Sequence, residues 1–165
     1  MKDKNEEHIY LEVSGDFRMR ELDRSDLEQF NALLQYAFQV TSYDLFQTGW
    51  EQDEIKSAKS PILEEAFVLG WFYGQRLASM IVVYSMKVNI HDEIMDMGGI
   101  TGVATYPEYT GRGLIHSLMR HALDYMHKQQ MPVSFLYPYS IPFYRKMVWE
   151  IVSDKLSFTV KDTQL

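Results

Sequence analysis

Ile100–Leu118 reads ITGVATYPEYTGRGLIHSL, and the order of residue types in this stretch decides the fold. Ile100 to Thr105 has the β-branched and glycine character of a strand, Pro107 ends it, and Gly111-Arg112-Gly113 makes a turn from which an amphipathic helix begins. The first backbone N–H groups of a helix have no acceptor inside the helix. A strand, a Gly-x-Gly turn and a helix N-terminus in succession therefore form a site for an anion. Gly111 and Gly113 let an oxygen-rich ligand reach the backbone with no Cβ in the way, and Arg112 adds a permanent cation for a phosphate. Position 116 is His, so Gly-x-Gly-x-x-Gly is not met, and neither is Gly-x-x-x-x-Gly-Lys-Ser/Thr. A plain tight turn uses the same glycines. The strand and Pro107 before them and the apolar helix after them favour the phosphate site.

From Gly113 the helix continues through Leu114, Leu118, Ala122 and Met126, with Ile115, Met119 and Leu123 beside them on one apolar face, to about Gln130 before Pro132. Val133 to Tyr137 reads as a short buried strand. A helical crossover between two strands makes them parallel neighbours joined in the right-handed sense. Further on, Ser140 is placed to N-cap a brief helix through Lys146, and Trp149 to Val160 reads as one or two closing strands. Upstream, Ile94 to Thr105 holds Gly98, Gly99 and Gly102, which point to a bulge or to a ligand lying against the backbone. Ala66 to Tyr73 and Arg76 to Ile90, around Gly74, read as strand, tight turn and longer strand. Phe17 to Leu22 is a short strand, and Ser25-Asp26-Leu27-Glu28 reads as a capping box. It opens a helix carrying Leu27, Phe30, Leu33, Leu34, Ala37 and Phe38 to about Val40; Trp50, Glu51 and Ile55 suggest a second short helix. The expected architecture is α/β, with a mixed, mostly antiparallel central sheet flanked by helices.

The chain has 165 residues, which fits one domain, since two would each be near the size at which a core becomes marginal. At 46% hydrophobic and 14% aromatic it has ample apolar surface to offset chain entropy. Its densest apolar stretches, Ala66 to Tyr73 and Leu77 to Tyr84, are far shorter than the roughly 18 residues of a membrane span. The N-terminus, MKDKNEEHIYLEVSG, lacks the apolar region of a secretory signal, so a cytoplasmic location is expected. With no cysteine, thiolate nucleophiles and cysteine-ligated zinc are excluded. His116, His121 and His127 are separated by five and six residues, which scatters them around the helix, and no metal is expected. A formal net charge of -7 disfavours nucleic acid and anionic membrane and mildly favours a cationic partner.

Thr110-Gly111-Arg112-Gly113-Leu114-Ile115 resembles motif A of the GNAT superfamily of acetyl-CoA-dependent N-acetyltransferases, Arg/Gln-x-x-Gly-x-Gly/Ala after a strand. Thr110 stands in place of the usual Arg or Gln, and Ile115 in place of the small final residue. Downstream, LYPYSIPFYRKMVWE, Leu136 to Glu150, looks like the superfamily's strand, short helix and "FYxKxGWE" ending, with Val148 at the usual Gly. The order of elements is similar over essentially the full chain. Gly113-Leu114-Ile115, then SLMRHAL, and Pro138-Tyr139-Ser140 leading to Phe143-Tyr144-Arg145-Lys146, look most like the enhanced intracellular survival family of acetyltransferases. Members of that family are longer, with a second acetyltransferase-like domain and a sterol-carrier-like C-terminal domain. The resemblance thus implies that residues 1–165 form a single acetyltransferase domain of GNAT fold, the N-terminal part of a longer multidomain protein.

The resemblance also implies the site. Val103, Ala104 and Thr105 pair through their backbone with the pantetheine arm of acetyl-CoA, and Gly111, Arg112, Gly113, Leu114, Ile115 and His116 hold its pyrophosphate. Tyr139 and Ser140 lie near the cofactor, and Tyr144 matches the tyrosine that protonates the departing thiolate. Without the family pattern Tyr144 reads as a core or edge aromatic. The family's general base is the C-terminal carboxylate of the full-length protein, which this chain does not contain. Asp96 is a second place for a proton acceptor, against the plainer reading of a solvated strand residue. The implied activity is transfer of an acetyl group from acetyl-CoA to a small-molecule primary amine, aminoglycoside-like or lysine-like, with homo-oligomerisation in the full-length form. The alternative is an acetyl-CoA-binding regulatory module with little or no turnover.

Overall fold

The computed structural model describes residues 16–39 and 60–153. In chain order these form β1 (Phe17–Glu21), a 3-10 turn (Arg24–Asp26), α1 (Leu27–Phe38), α2 (Ser60–Glu65), β2 (Phe67–Tyr73), β3 (Arg76–Ile90) and β4 (Glu93–Thr105). A second 3-10 turn (Pro107–Tyr109), α3 (Leu114–Lys128), β5 (Val133–Leu136) and α4 (Ile141–Arg145) follow. The strands make one sheet in the order β1-β2-β3-β4-β5. The first three pairings are antiparallel and β4–β5 is parallel, as the α3 crossover requires.

The sheet carries a core on each face. On one side α1 buries Phe30 and Leu33 against Val68, Phe72, Leu77, Met80, Val82 and Ala104. On the other, α3 lays Leu114, Leu118, Met119, Ala122 and Met126 over Leu69, Trp71, Ile81 and Val83. Gly98 makes room for this helix: a Cβ there would run into Met126 Sδ. Gln29 ties α1 to the β2–β3 turn, its Nε2 donating to Gln75 O at 3.1 Å and its Oε1 accepting from Leu77 N at 2.7 Å.

Several expectations are corrected. The capping box sits two residues earlier: Asp23 Oδ1 accepts from Ser25 N at 2.7 Å, and Asp26 Oδ2 accepts from Asp23 N at 3.1 Å. Ser25 Oγ gives its proton to Asp23 at 2.6 Å, while the Asp26 carboxylate is gripped by both terminal nitrogens of Arg20 on β1, at 2.6 and 2.7 Å. Ser140 is at the N-cap of α4, but its side chain makes no cap bond; its carbonyl accepts from Phe143 and Tyr144 N–H instead. Residues 149–153 form no strand, and the rest of that expected element, like the helix around Trp50, Glu51 and Ile55, lies outside the described residues. Leu123 is on the rim of the α3 face and 37% exposed. β5 is half-buried, not buried, because among the described residues it is an edge strand.

Candidate active site

β4 and β5 run together only from Met97–Val133 to Ile100–Leu136, and β4 continues to Thr105 without a described partner on that side. Just where they part, β4 bulges. Met80 pairs with Ala104 but Val82 pairs with Thr101, so β4 has one residue more than β3 across the step, and Gly102 takes a φ of +57°. A Cβ at Gly102 would stand 2.8 Å from Val82 Cγ2. The bulge read from the glycine cluster is therefore at Gly102, while Gly98 makes room for α3.

The ladder alternation then settles which backbone groups face the open edge. Tyr106 N–H donates to Ala78 O at 3.0 Å, which makes 80 and 104 the next hydrogen-bonded pair and turns the Ala104 N–H and C=O toward β3. Thr105, the next residue, turns its N–H toward the side on which β5 has departed, and so does the Val103 carbonyl, which shares a trans peptide with the Ala104 N–H. Of the three residues expected to meet a ligand arm, Val103 and Thr105 present a backbone group on the side that no described strand covers, and Ala104 does not. Its methyl is buried on the α1 face.

Past Pro107–Tyr109 the chain enters the glycine turn. Gly111 and Gly113 have φ of +74° and +75°, and a Cβ built on either meets nothing within 4 Å. The backbone has the left-handed form that glycine adopts most cheaply, and the space above it is open, which is the fit a phosphate cradle requires. Gly113 O accepts from Ser117 N at 3.0 Å as the first helical bond, leaving the Leu114, Ile115 and His116 N–H groups without helical acceptors. The Leu114 side chain is buried in the core and Ile115 packs against it, so these two can contribute only backbone; His116 is exposed. Arg112 does not reach into the turn: its guanidinium lies 5.7 Å over the Phe17 ring, which itself meets Tyr109 edge-on at 5.7 Å. Arg76, paired with Glu108 at 2.9 Å and 5.0 Å over Tyr106, braces the same segment.

Tyr144, on α4, is 7% exposed and belongs to the same apolar cluster as Ile100 and Leu114. Burial, with a smaller contribution from nearby Tyr139, raises its pKa above the ordinary phenol value, so it is held as a neutral proton donor. It lines a cleft of about 650 Å³ with Leu123, Ser134, Leu136, Ile141 and Trp149. Tyr139 is 88% exposed and Ser140 half-buried beside it. Asp96 lies toward the far end of β4 from the bulge, exposed and paired with Lys87 Nζ at 2.8 Å, as a solvated strand residue would be. Among the described residues no group of histidines and carboxylates could hold a metal.

Two features at this site were not read from the sequence. Ser79 on β3 is fully buried, donates to Ala104 O at 3.1 Å and lies 2.7 Å from Thr105 Oγ1. Its only sequence signal is a serine inside the apolar run 77–84. The Trp71 indole N–H is buried with no partner among the described residues, and nothing in the sequence marks it.

Residues 18–152 match the model of the acetyltransferase (GNAT) domain family, and the chain belongs to that family, a family of acyltransferases. No curated protein matches it. Among solved structures it is similar to a conserved protein of unknown function from Enterococcus faecalis V583, a probable N-acyltransferase, at 28% identity and TM-score 0.69. That match covers 79% of this chain and 31% of the other, so the chain spans about a third of that relative's length. The GCN5-related N-acetyltransferase of Ralstonia eutropha JMP134 shares the fold at 19% identity and TM-score 0.70, covering 87% of this chain and 98% of that one. A predicted acetyltransferase from Clostridium acetobutylicum, solved with acetyl-CoA, shares it at 13% identity and TM-score 0.68, over 87% and 96% of the two chains. Among the described residues no helix is long and apolar enough to cross a membrane.

Proposed function

We propose that residues 1–165 form a single acetyltransferase domain that moves an acetyl group from acetyl-CoA to a primary amine by direct attack. The observation that carries this reading is the coincidence, at one end of β4, of a strand edge that no described strand covers and a glycine cradle opening a long helix. A buried neutral tyrosine shares the adjoining cluster. Val103 and Thr105 hold the donor's arm through their backbone, while Gly111, Gly113 and the first N–H groups of α3 hold its diphosphate. Acetyl-CoA supplies the thioester. The neutral amine forms a C–N bond to its carbonyl carbon, the C–S bond breaks, Tyr144 gives its phenolic proton to the departing thiolate, and the proton shed by the nitrogen restores the phenol. Arg112 meets the diphosphate by leaving the Phe17 ring. The acidic chain suits a cationic acceptor, aminoglycoside-like or lysine-like, in a cytoplasmic setting.

The finer kinship, with the enhanced intracellular survival family, rests on the residue patterns at 113–123 and 138–146, and it implies a general base outside these residues. A second reading, an acetyl-CoA-binding regulatory module, draws on Glu150. Among the described residues it is the cleft's one carboxylate, and it is held by Arg145 Nε through both oxygens at 2.9 Å. Release of free coenzyme A against a panel of polyamines and aminoglycosides tests both. Amine-dependent release supports the enzyme; thermal stabilisation by acetyl-CoA without release supports the module; no stabilisation by acetyl-CoA removes both.

A further inference from the structure

We propose that Ser79 sets the hydrogen-bonding polarity of the β4 edge that no described strand covers, so that the Thr105 hydroxyl meets the donor's arm as an acceptor of an amide N–H. The proposal rests on the reading that the arm of acetyl-CoA lies along that edge. Ser79 belongs to β3, one strand away, and is 0% exposed. Its Oγ is 3.1 Å from Ala104 O, an atom that can only accept, so the single Ser79 proton is used there. In the proposed arrangement the Ser79 oxygen accepts from Thr105 Oγ1, 2.7 Å away, and Thr105 directs its own proton inward.

What Thr105 has left for a ligand is lone pairs. A hydroxyl that would turn either way in water is fixed here as an acceptor, and the complete burial of Ser79 keeps water from competing for the relay. Thr105 is half-buried, at the last position of β4, where no described strand covers the β5 side. A ligand N–H is favoured at that point and a ligand carbonyl is repelled. Ser79 is thus a positioning residue, acting only through Thr105.

Calorimetric titration of coenzyme A into the unaltered protein, Thr105→Val, Thr105→Ser, Ser79→Ala and the Ser79→Ala/Thr105→Val double variant tests this, with thermal unfolding of each. Thr105→Val weakens binding about tenfold, Thr105→Ser less than about twofold and Ser79→Ala about threefold to fivefold. The double variant binds no more weakly than Thr105→Val, because Ser79 then has nothing to orient. An equal further loss from Ser79→Ala in both backgrounds marks a general structural role and overturns the proposal, as does Thr105→Val binding within twofold of the unaltered protein. If Thr105→Val does not fold, Thr105→Ala carries the same comparison. Binding by the unaltered protein with flat variants removes this proposal alone; no binding by the unaltered protein removes the donor reading along with it.

Discussion

Alanine at Gly113, set against alanine at Gly74, separates backbone strain from ligand contact. Gly113 and Gly74 have φ of +75° and +57°, and at both a Cβ meets nothing within 4 Å. The stability terms are therefore matched. Forcing an L-residue into the left-handed region costs roughly 1–2 kcal/mol, and the stiffer unfolded chain returns about 0.4–1 kcal/mol. Each variant should lose about 1 kcal/mol, or about 2–4 °C in a domain of this size. Only the Gly113 methyl stands in the proposed cradle, where it displaces at least one charge-assisted bond from a backbone N–H to a phosphate oxygen, worth about 1.5–3 kcal/mol. Coenzyme A affinity, measured by calorimetry, should therefore fall by roughly 10- to 100-fold in Gly113→Ala and stay unchanged in Gly74→Ala. Equal melting shifts with equal, unaltered affinities would refute the cradle while leaving the strain argument standing.

Tyr144→Phe should keep coenzyme A affinity within twofold and lower kcat by about 10²-fold. Because burial raises the Tyr144 pKa, its loss of the proton limits kcat only above the ordinary tyrosine value of about 10, and an alkaline limb well below that points to another group. Asp26→Asn should cost about 1–2 kcal/mol at neutral pH, since Arg20, half exposed, loses its charged partner. The Arg20 hydrogen bonds hold the Asp26 carboxyl below its ordinary value, so this stability is complete above about pH 4 and is lost as pH falls through the lower folded value. Urea titrations should show an acid limb that Asp26→Asn flattens. Gly98→Ala, pressed against Met126, should cost about 1–3 kcal/mol in chemical denaturation, with part recovered by Met126→Ala.

The segment from Ile100 to Leu118 was legible because each of its signals is local: β-branched residues for the strand, a proline stop, two glycines, then a helical apolar face. The parallel placement of β5 followed from connectivity alone. What the sequence hid depends on partners distant in the chain. Ser25-Asp26-Leu27-Glu28 has the residue types of a capping box, but Ser25 turns both its N–H and its hydroxyl to Asp23, and the box closes between Asp23 and Asp26. The apolar residues of 133–137 suggested a buried strand, while among the described residues β5 lies at the edge, with Phe135 and, just past its end, Tyr137 exposed. Arg112, assigned to phosphate on charge, rests on Phe17, whose proximity arises only once β1 and the turn before α3 are folded together. Ser79 is a serine among apolar neighbours until the bulge at Gly102 brings Thr105 across from it.

A crystal of the chain grown with coenzyme A addresses the central claim most directly. The diphosphate oxygens should lie about 2.7–3.2 Å from the N–H groups that open α3, with the arm along Val103 and Thr105 and the sulfur beside the Tyr144 hydroxyl. A ligand lodged elsewhere, or the parted end of β4 and β5 filled by the protein's own side chains, would contradict the account.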